Sequence, residues 1–96
     1  MDNSAIETGY KILRAMGNRH RLHILYVLWK KEHSVSELEQ NIPLSQSALS
    51  QHLAVLRRAG LVKTRRQAQT IYYSIKNPVV LNVLGLLDKY YNQHYD

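Results

Sequence analysis

Residues 44–62 read LSQSALSQHLAVLRRAGLV. Leu49, Leu53 and Leu56 recur at helical spacing, so one side of a helix over 46–59 is expected to face a core. Ser45 precedes it as a cap, and Gly60 follows as a stop. The rest of the helix is unusual. Ser47 and Gln51 lie well clear of the leucine stripe, and Gln46 and Ser50 sit near its edge in the first turns. A helix meant only for packing would not carry so many short polar groups there. They suit a helix end that enters the major groove of DNA, where base edges are read and the helix dipole favours phosphate. Glutamine can pair adenine through two hydrogen bonds, and serine can donate to or accept from several bases. The bland alternative is an ordinary amphipathic helix with a solvated polar face.

Working outward, the chain is punctuated into short elements. Residues 4–16 are expected to be helical, with Ser4 and Glu7 forming a capping box and Ile6, Tyr10, Leu13 and Met16 along one stripe. After Gly17, Asn18 caps a helix over 19–31. Its Leu22, Leu25, Leu28 and Trp29, widened by Ile24 and Val27, mark it as central. Ser34 and Glu37 offer a second capping box, with Ser36 a competing cap, for a short helix over 36–41 built on Leu38. Pro43 separates it from Ser45. The period then changes. Residues 61–66 and 70–75 are β-prone runs joined by Gln67-Ala68-Gln69, a hairpin whose turn lacks the glycine that tolerates positive φ. Asn77-Pro78 starts a last helix over 78–93.

Short helix, tight turn, polar-faced helix and basic hairpin give a winged helix-turn-helix, mainly α with a β-hairpin wing. The 96 residues suffice for one domain with a thin core, so association is a natural source of buried surface. Charge supports a polyanion partner. The formal net charge is +6, and no acid falls between residues 40 and 87, a window holding Arg57, Arg58, Lys63, Arg65, Arg66 and Lys76. The expected partner is double-stranded DNA. Ser45, Gln46, Ser47, Ser50, Gln51 and His52 are the DNA-binding residues expected on the reading helix, with His52 supporting DNA binding or packing. Arg57 would grip the backbone past it, with Arg58 beside it. Arg65, Arg66, Gln67, Gln69 and Thr70 would tip the wing.

The last helix is apolar on several faces, more than one side of so small a domain can bury. A homodimer is therefore expected, with Tyr10, Leu13, Val83, Leu84, Leu87, Tyr90 and Tyr91 at its interface and Tyr95 adding aromatic area. Paired DNA half-sites call for the same two-fold symmetry.

LSQSALSQHLAVLRRAGLVKTRRQAQTIYYSI, with AMGNRHRLHIL at 15–25 and HSVSELEQ at 33–40, resembles the reading helix, wing and flanking helices of the ArsR/SmtB family of bacterial regulators. The likeness is strongest to the HlyU-like branch, whose wing turn also tends to carry alanine. It covers nearly the whole chain and implies a homodimer with four helices, two strands and a fifth helix, bound to a near-palindromic operator. One departure is Arg19, where many members have proline.

The resemblance also implies sensor sites, and these look erased. The chain has no cysteine, which removes thiol chemistry and zinc–thiolate sites. The family's cysteine metal site near 34–40 has no ligands. The last-helix metal site would fall on Asn77, Val79, Tyr90 and Gln93, which do not make a zinc site. The branch's dithiol would fall on Tyr26 and Asn92. His20 with His23, or His94 with Asp96, offers two ligands without a third. No metal or other cofactor is expected, and a small-molecule effector is left open.

No stretch approaches a membrane span and the first residues do not form a signal peptide, so the expected location is the cytoplasm. No paired acid and base or activated nucleophile stands out, so an enzyme is not expected. The competing function is a winged helix that binds protein and has no DNA target of its own.

Overall fold

A computed structural model describes residues 1–92 of the chain. α1 spans Asn3–Met16, one residue earlier than expected, because Asp2 is the cap and accepts from the Ala5 N–H at 2.8 Å. A carboxylate at this end also meets the positive pole of the helix dipole. Ser4 is inside the helix, and its carbonyl accepts from the Thr8 hydroxyl. The expected stripe divides between core and solvent. Ile12, Ala15 and Met16 are buried, whereas Ile6, Tyr10 and Leu13 are exposed.

α2 spans Arg19–Lys30, and the Asn18 side chain accepts from the His20 and Arg21 N–H groups at 3.0 and 3.1 Å. Its Ile24, Leu25 and Leu28 are buried, and it packs on α1 and on every later helix and the last strand, which makes it the central element. α3 spans Val35–Asn41, and Ser34 caps it in preference to Ser36. Ser34 Oγ accepts from the Glu37 N–H, and Glu37 Oε1 accepts from the Ser34 N–H, so the box closes both ways. The Ser34 N–H holds the Glu37 carboxyl below the usual carboxylate range. Ile42 is buried behind the turn that leads to α4, Gln46–Arg58.

The end of α4 is fixed by its backbone. Gly60 has φ +76°, its N–H donates to Arg57, and the Leu61 N–H donates to Leu56. These are the two hydrogen bonds of a Schellman motif, which needs a residue that accepts positive φ at this position.

Three strands follow the order β1-β3-β2, all antiparallel. β1 is the short His33–Ser34, unforeseen in the sequence; β2 is Val62–Gln67 and β3 is Thr70–Ile75. The turn is tighter than three residues, because Gln67 pairs with Thr70 and leaves only Ala68-Gln69 to cross over. Ala68 takes φ +56°, and Gln69 is not among the positive-φ residues. That combination is the φ signature of a type II′ hairpin turn, which matches the strand twist at some steric cost to an alanine.

α5 spans Pro78–Tyr91, with Asn77 accepting from the Val79 N–H at 2.9 Å. Val80 and Leu84 reach the core formed by Ile24, Leu25, Leu28, Leu38, Leu49, Leu53, Leu56 and Leu61. Leu84 is 3% exposed, so it serves its own core, and Val83 is half-buried against that core. The other expected interface residues, Leu87, Tyr90 and Tyr91, are exposed. Tyr95, Gln93, His94 and Asp96 lie outside the described residues.

Candidate nucleic-acid interface

Ser45 fixes the start of α4 by accepting from the Ala48 N–H at 3.1 Å. With Leu49, Leu53 and Leu56 turned inward, Gln46, Ser47, Ser50 and Gln51 are all exposed in the first two turns. Their side chains and the free N–H groups of the helix start face the same solvent. These are short acceptors and donors on a rigid element, the arrangement base-edge reading requires.

His52 is placed differently. It is half-buried on the side of α4 that meets α2, its ring 5.7 Å from that of His20. Arg21 Nη1 lies 3.5 Å from His52 Nδ1. Arginine only donates, so a hydrogen bond here has Nδ1 as the accepting nitrogen. Burial, with Arg21 and His20 adding to it, pushes the His52 pKa below the ordinary imidazole value. Arg21 also donates from Nε to the Ala15 carbonyl at 2.6 Å, tying the end of α1 to the same junction. His52 therefore supports the reading helix from behind.

Beside α4 lies a cleft of about 450 Å³ lined by Val35, Ser50, Leu53, Ala54, Arg57, Arg58 and Tyr73. It joins the reading face to the root of the wing and carries two guanidinium groups with no carboxylate. An anionic backbone strand fits its charge.

At the wing, Arg66, Gln67, Gln69 and Thr70 are exposed, and Arg66 Nε donates to the Ala68 carbonyl across the turn at 3.1 Å. Arg65 is engaged elsewhere. Its Nη2 is 2.5 Å from Glu32 Oε1, its Nε donates to Glu32 Oε2 at 3.3 Å, and its Nη1 donates to Gln67 Oε1 at 2.8 Å. Its guanidinium carbon lies 4.5 Å from the centre of the Tyr72 ring. The hydrogen bond from Arg65 holds the Glu32 carboxyl below its usual range, and the same bond raises the Arg65 pKa. Glu32 is a partner of the wing that no motif in the sequence marks. It is 33 positions from its partner, and no spacing rule links the two.

The positions that the resemblance matched to sensor sites can be placed as well. Asn92 Nδ2 donates to the Tyr26 hydroxyl at 3.1 Å and to Asp88 Oδ1 at 2.9 Å, so the two positions matched to a dithiol do meet between α2 and α5. His20 faces His52, while His23 lines a cavity of about 330 Å³ with Tyr26, Leu87 and Asp88. Among the described residues, no three His, Cys, Asp or Glu side chains come together as a metal site. No helix there is long and apolar enough to cross a membrane.

An exposed polar reading helix beside a two-stranded basic wing defines the winged helix-turn-helix class. Comparison with known proteins agrees. The profile of bacterial regulatory proteins of the arsR family matches residues 18–64. The transcriptional activator HlyU of Vibrio cholerae is 51% identical over 82 residues, covering 85% of this chain and 76% of that protein. The nodulation protein NolR of Rhizobium meliloti is 48% identical over 95 residues, covering 99% and 76%. The solved structure of HlyU from Vibrio cholerae superimposes with a TM-score of 0.90 at 46% identity, covering 97% of this chain and all of that one. The chain belongs to the arsR family of bacterial regulatory proteins and is a DNA-binding transcriptional regulator of the HlyU-like kind.

Proposed function

We propose that the chain binds a near-palindromic operator as a homodimer and acts as a repressor, or as an anti-repressor that displaces another protein from DNA. The observation that carries this reading is the exposed set Gln46, Ser47, Ser50 and Gln51 on the first turns of α4, beside a wing tipped by Arg66, Gln67, Gln69 and Thr70. The first four read bases; the wing residues and Arg57 contact backbone. Two helices leave apolar faces unpartnered, Ile6, Tyr10 and Leu13 on α1 and Leu86, Leu87, Tyr90 and Tyr91 on α5. A second copy of the chain is their natural partner.

Binding is tested by salt titration on a duplex recovered by genome-wide capture of the protein. Neutralising about six to ten phosphates per dimer gives a log–log slope of roughly −5 to −9. Gln51→Ala relaxes sequence preference by about 1–3 kcal/mol, whereas Arg66→Ala weakens all sequences alike. A shallow slope, with protein partners retained after nuclease treatment, would favour the protein-binding alternative.

A further inference from the structure

We infer that Arg65, which rests here on the DNA-binding reading of the wing, is a positioning residue that clamps the wing to the start of the helix-turn-helix and leaves phosphate to Arg66. All three nitrogens of the Arg65 guanidinium already donate a hydrogen bond within the chain. Nη2 and Nε form a fork on the Glu32 carboxylate, Nη1 donates to Gln67, and the flat face covers Tyr72. Such a fork fixes orientation in a way a point charge cannot.

The sheet explains what the clamp holds. Arg65 on β2 is paired with Tyr72 on β3, and Tyr72 is paired with Ser34 on β1. Arg65 thus reaches across the middle strand to Glu32, which lies two residues before Ser34. Ser34 is the buried cap of α3. One side chain therefore ties the wing, through three residues of chain, to the first helix of the DNA-binding unit. The wing is otherwise a two-stranded ribbon beyond this point, because β1 ends after pairing with Tyr72 and Tyr73. A ribbon of that kind is marginal alone. The ion-pair side chains are 48% and 40% exposed, so attraction between exposed charges contributes little by itself. The geometry of the fork and the stacked ring gives the clamp its direction.

The two roles open to Arg65 predict opposite signs for one substitution. As a clamp, Arg65 needs Glu32, so Glu32→Gln weakens DNA binding by about three- to tenfold, as Arg65→Gln does. As a phosphate contact, Arg65 is restrained by Glu32, so Glu32→Gln would tighten binding. The duplex recovered by genome-wide capture is titrated by fluorescence anisotropy at several salt concentrations, using the full chain and each variant. The expected result is weaker binding for both single variants with an unchanged salt slope, and partial recovery in the double variant Glu32→Arg with Arg65→Glu. Arg65→Lys should not recover, because lysine cannot form the fork. Tighter binding by Glu32→Gln, or a slope reduced by about one in Arg65→Gln, overturns the clamp. Amide hydrogen exchange in residues 66–71 is measured in parallel without DNA. Faster exchange in both single variants is expected, and unchanged exchange overturns the clamp even if the wild-type chain binds no DNA, the result that would defeat the functional reading instead.

Discussion

Replacing Leu13 by alanine separates a dimer face from a core face on one helix. Leu13 is 58% exposed in the single chain. Fully burying a leucine is worth about 1.5–3 kcal/mol, so the fraction left to bury in a partner corresponds to about 1–1.5 kcal/mol. A two-fold interface contains the residue twice, which gives about 2–3 kcal/mol per dimer. Leu13→Ala should therefore raise the dimer dissociation constant by roughly 30- to 150-fold. The folded subunit should hardly notice, because alanine is the best helix former and no core cavity opens. Ile12, one position away, is 7% exposed, and Ile12→Ala should instead cost about 2–5 kcal/mol of subunit stability. Sedimentation velocity over a concentration series reads the first effect, and urea unfolding followed by circular dichroism reads the second. An unchanged dissociation constant for Leu13→Ala, with helix content intact, would remove this face of α1 from the interface.

Ala68→Gly should stabilise the fold by about 0.5–1 kcal/mol, because it relieves the φ of +56° at the hairpin turn; a melting temperature that falls would show that the turn is not strained. His52 predicts acid sensitivity. Its folded pKa is depressed, so the unfolded chain takes up a proton first as pH falls, and the stability its neutral form contributes is present above the ordinary imidazole pKa of about 6.5 and lost below it. Thermal melts between about pH 7.5 and pH 5.5 should show a steeper loss in the wild-type chain than in His52→Gln, and equal slopes would refute this.

The parts of the fold legible in the sequence are those fixed by neighbours along the chain. Ser45, Gly60, Asn18, Asn77 and the Ser34–Glu37 box act within one turn of the helices they begin or end, so their positions were readable. At the first helix, Ser4 and Asp2 both satisfy the local rule, and only the structure shows that Asp2 takes the N–H. The stripe on α1 was legible as spacing, but its partners were not. Periodicity marks apolar faces but not what covers them, and α1 has two. Ile12, Ala15 and Met16 meet their own core, while Ile6, Tyr10 and Leu13 are left outside. β1 was invisible because two residues carry no period and their partners lie some forty positions later. The Glu32–Arg65 clamp was hidden likewise. On α4, the exposure of Gln46, Ser47, Ser50 and Gln51 could be read by elimination from the leucine stripe. His52 is adjacent in sequence but turns toward α2, where it meets side chains that spacing along α4 could not reveal.

The same nonlocal contacts bear on control. This chain has no thiol, and the two positions matched to the branch's dithiol are joined by the Asn92–Tyr26 hydrogen bond. A neutral hydrogen bond does not lock on oxidation, so any signal arriving there acts by changing populations, through an affinity difference between two arrangements of α2 and α5. A tenfold preference amounts to about 1.4 kcal/mol. α2 is the element through which such a shift would travel. Tyr26 holds Asn92 just past the end of α5, and one turn and a half earlier Arg21 holds His52 under the reading helix and the Ala15 carbonyl at the end of α1. Movement of α2 against α5 would therefore shift the supports of both the proposed dimer face and the proposed reading face. The contacts that link α2 to α4 and α5 here rest on helix packing and hydrogen bonds and use no cysteine.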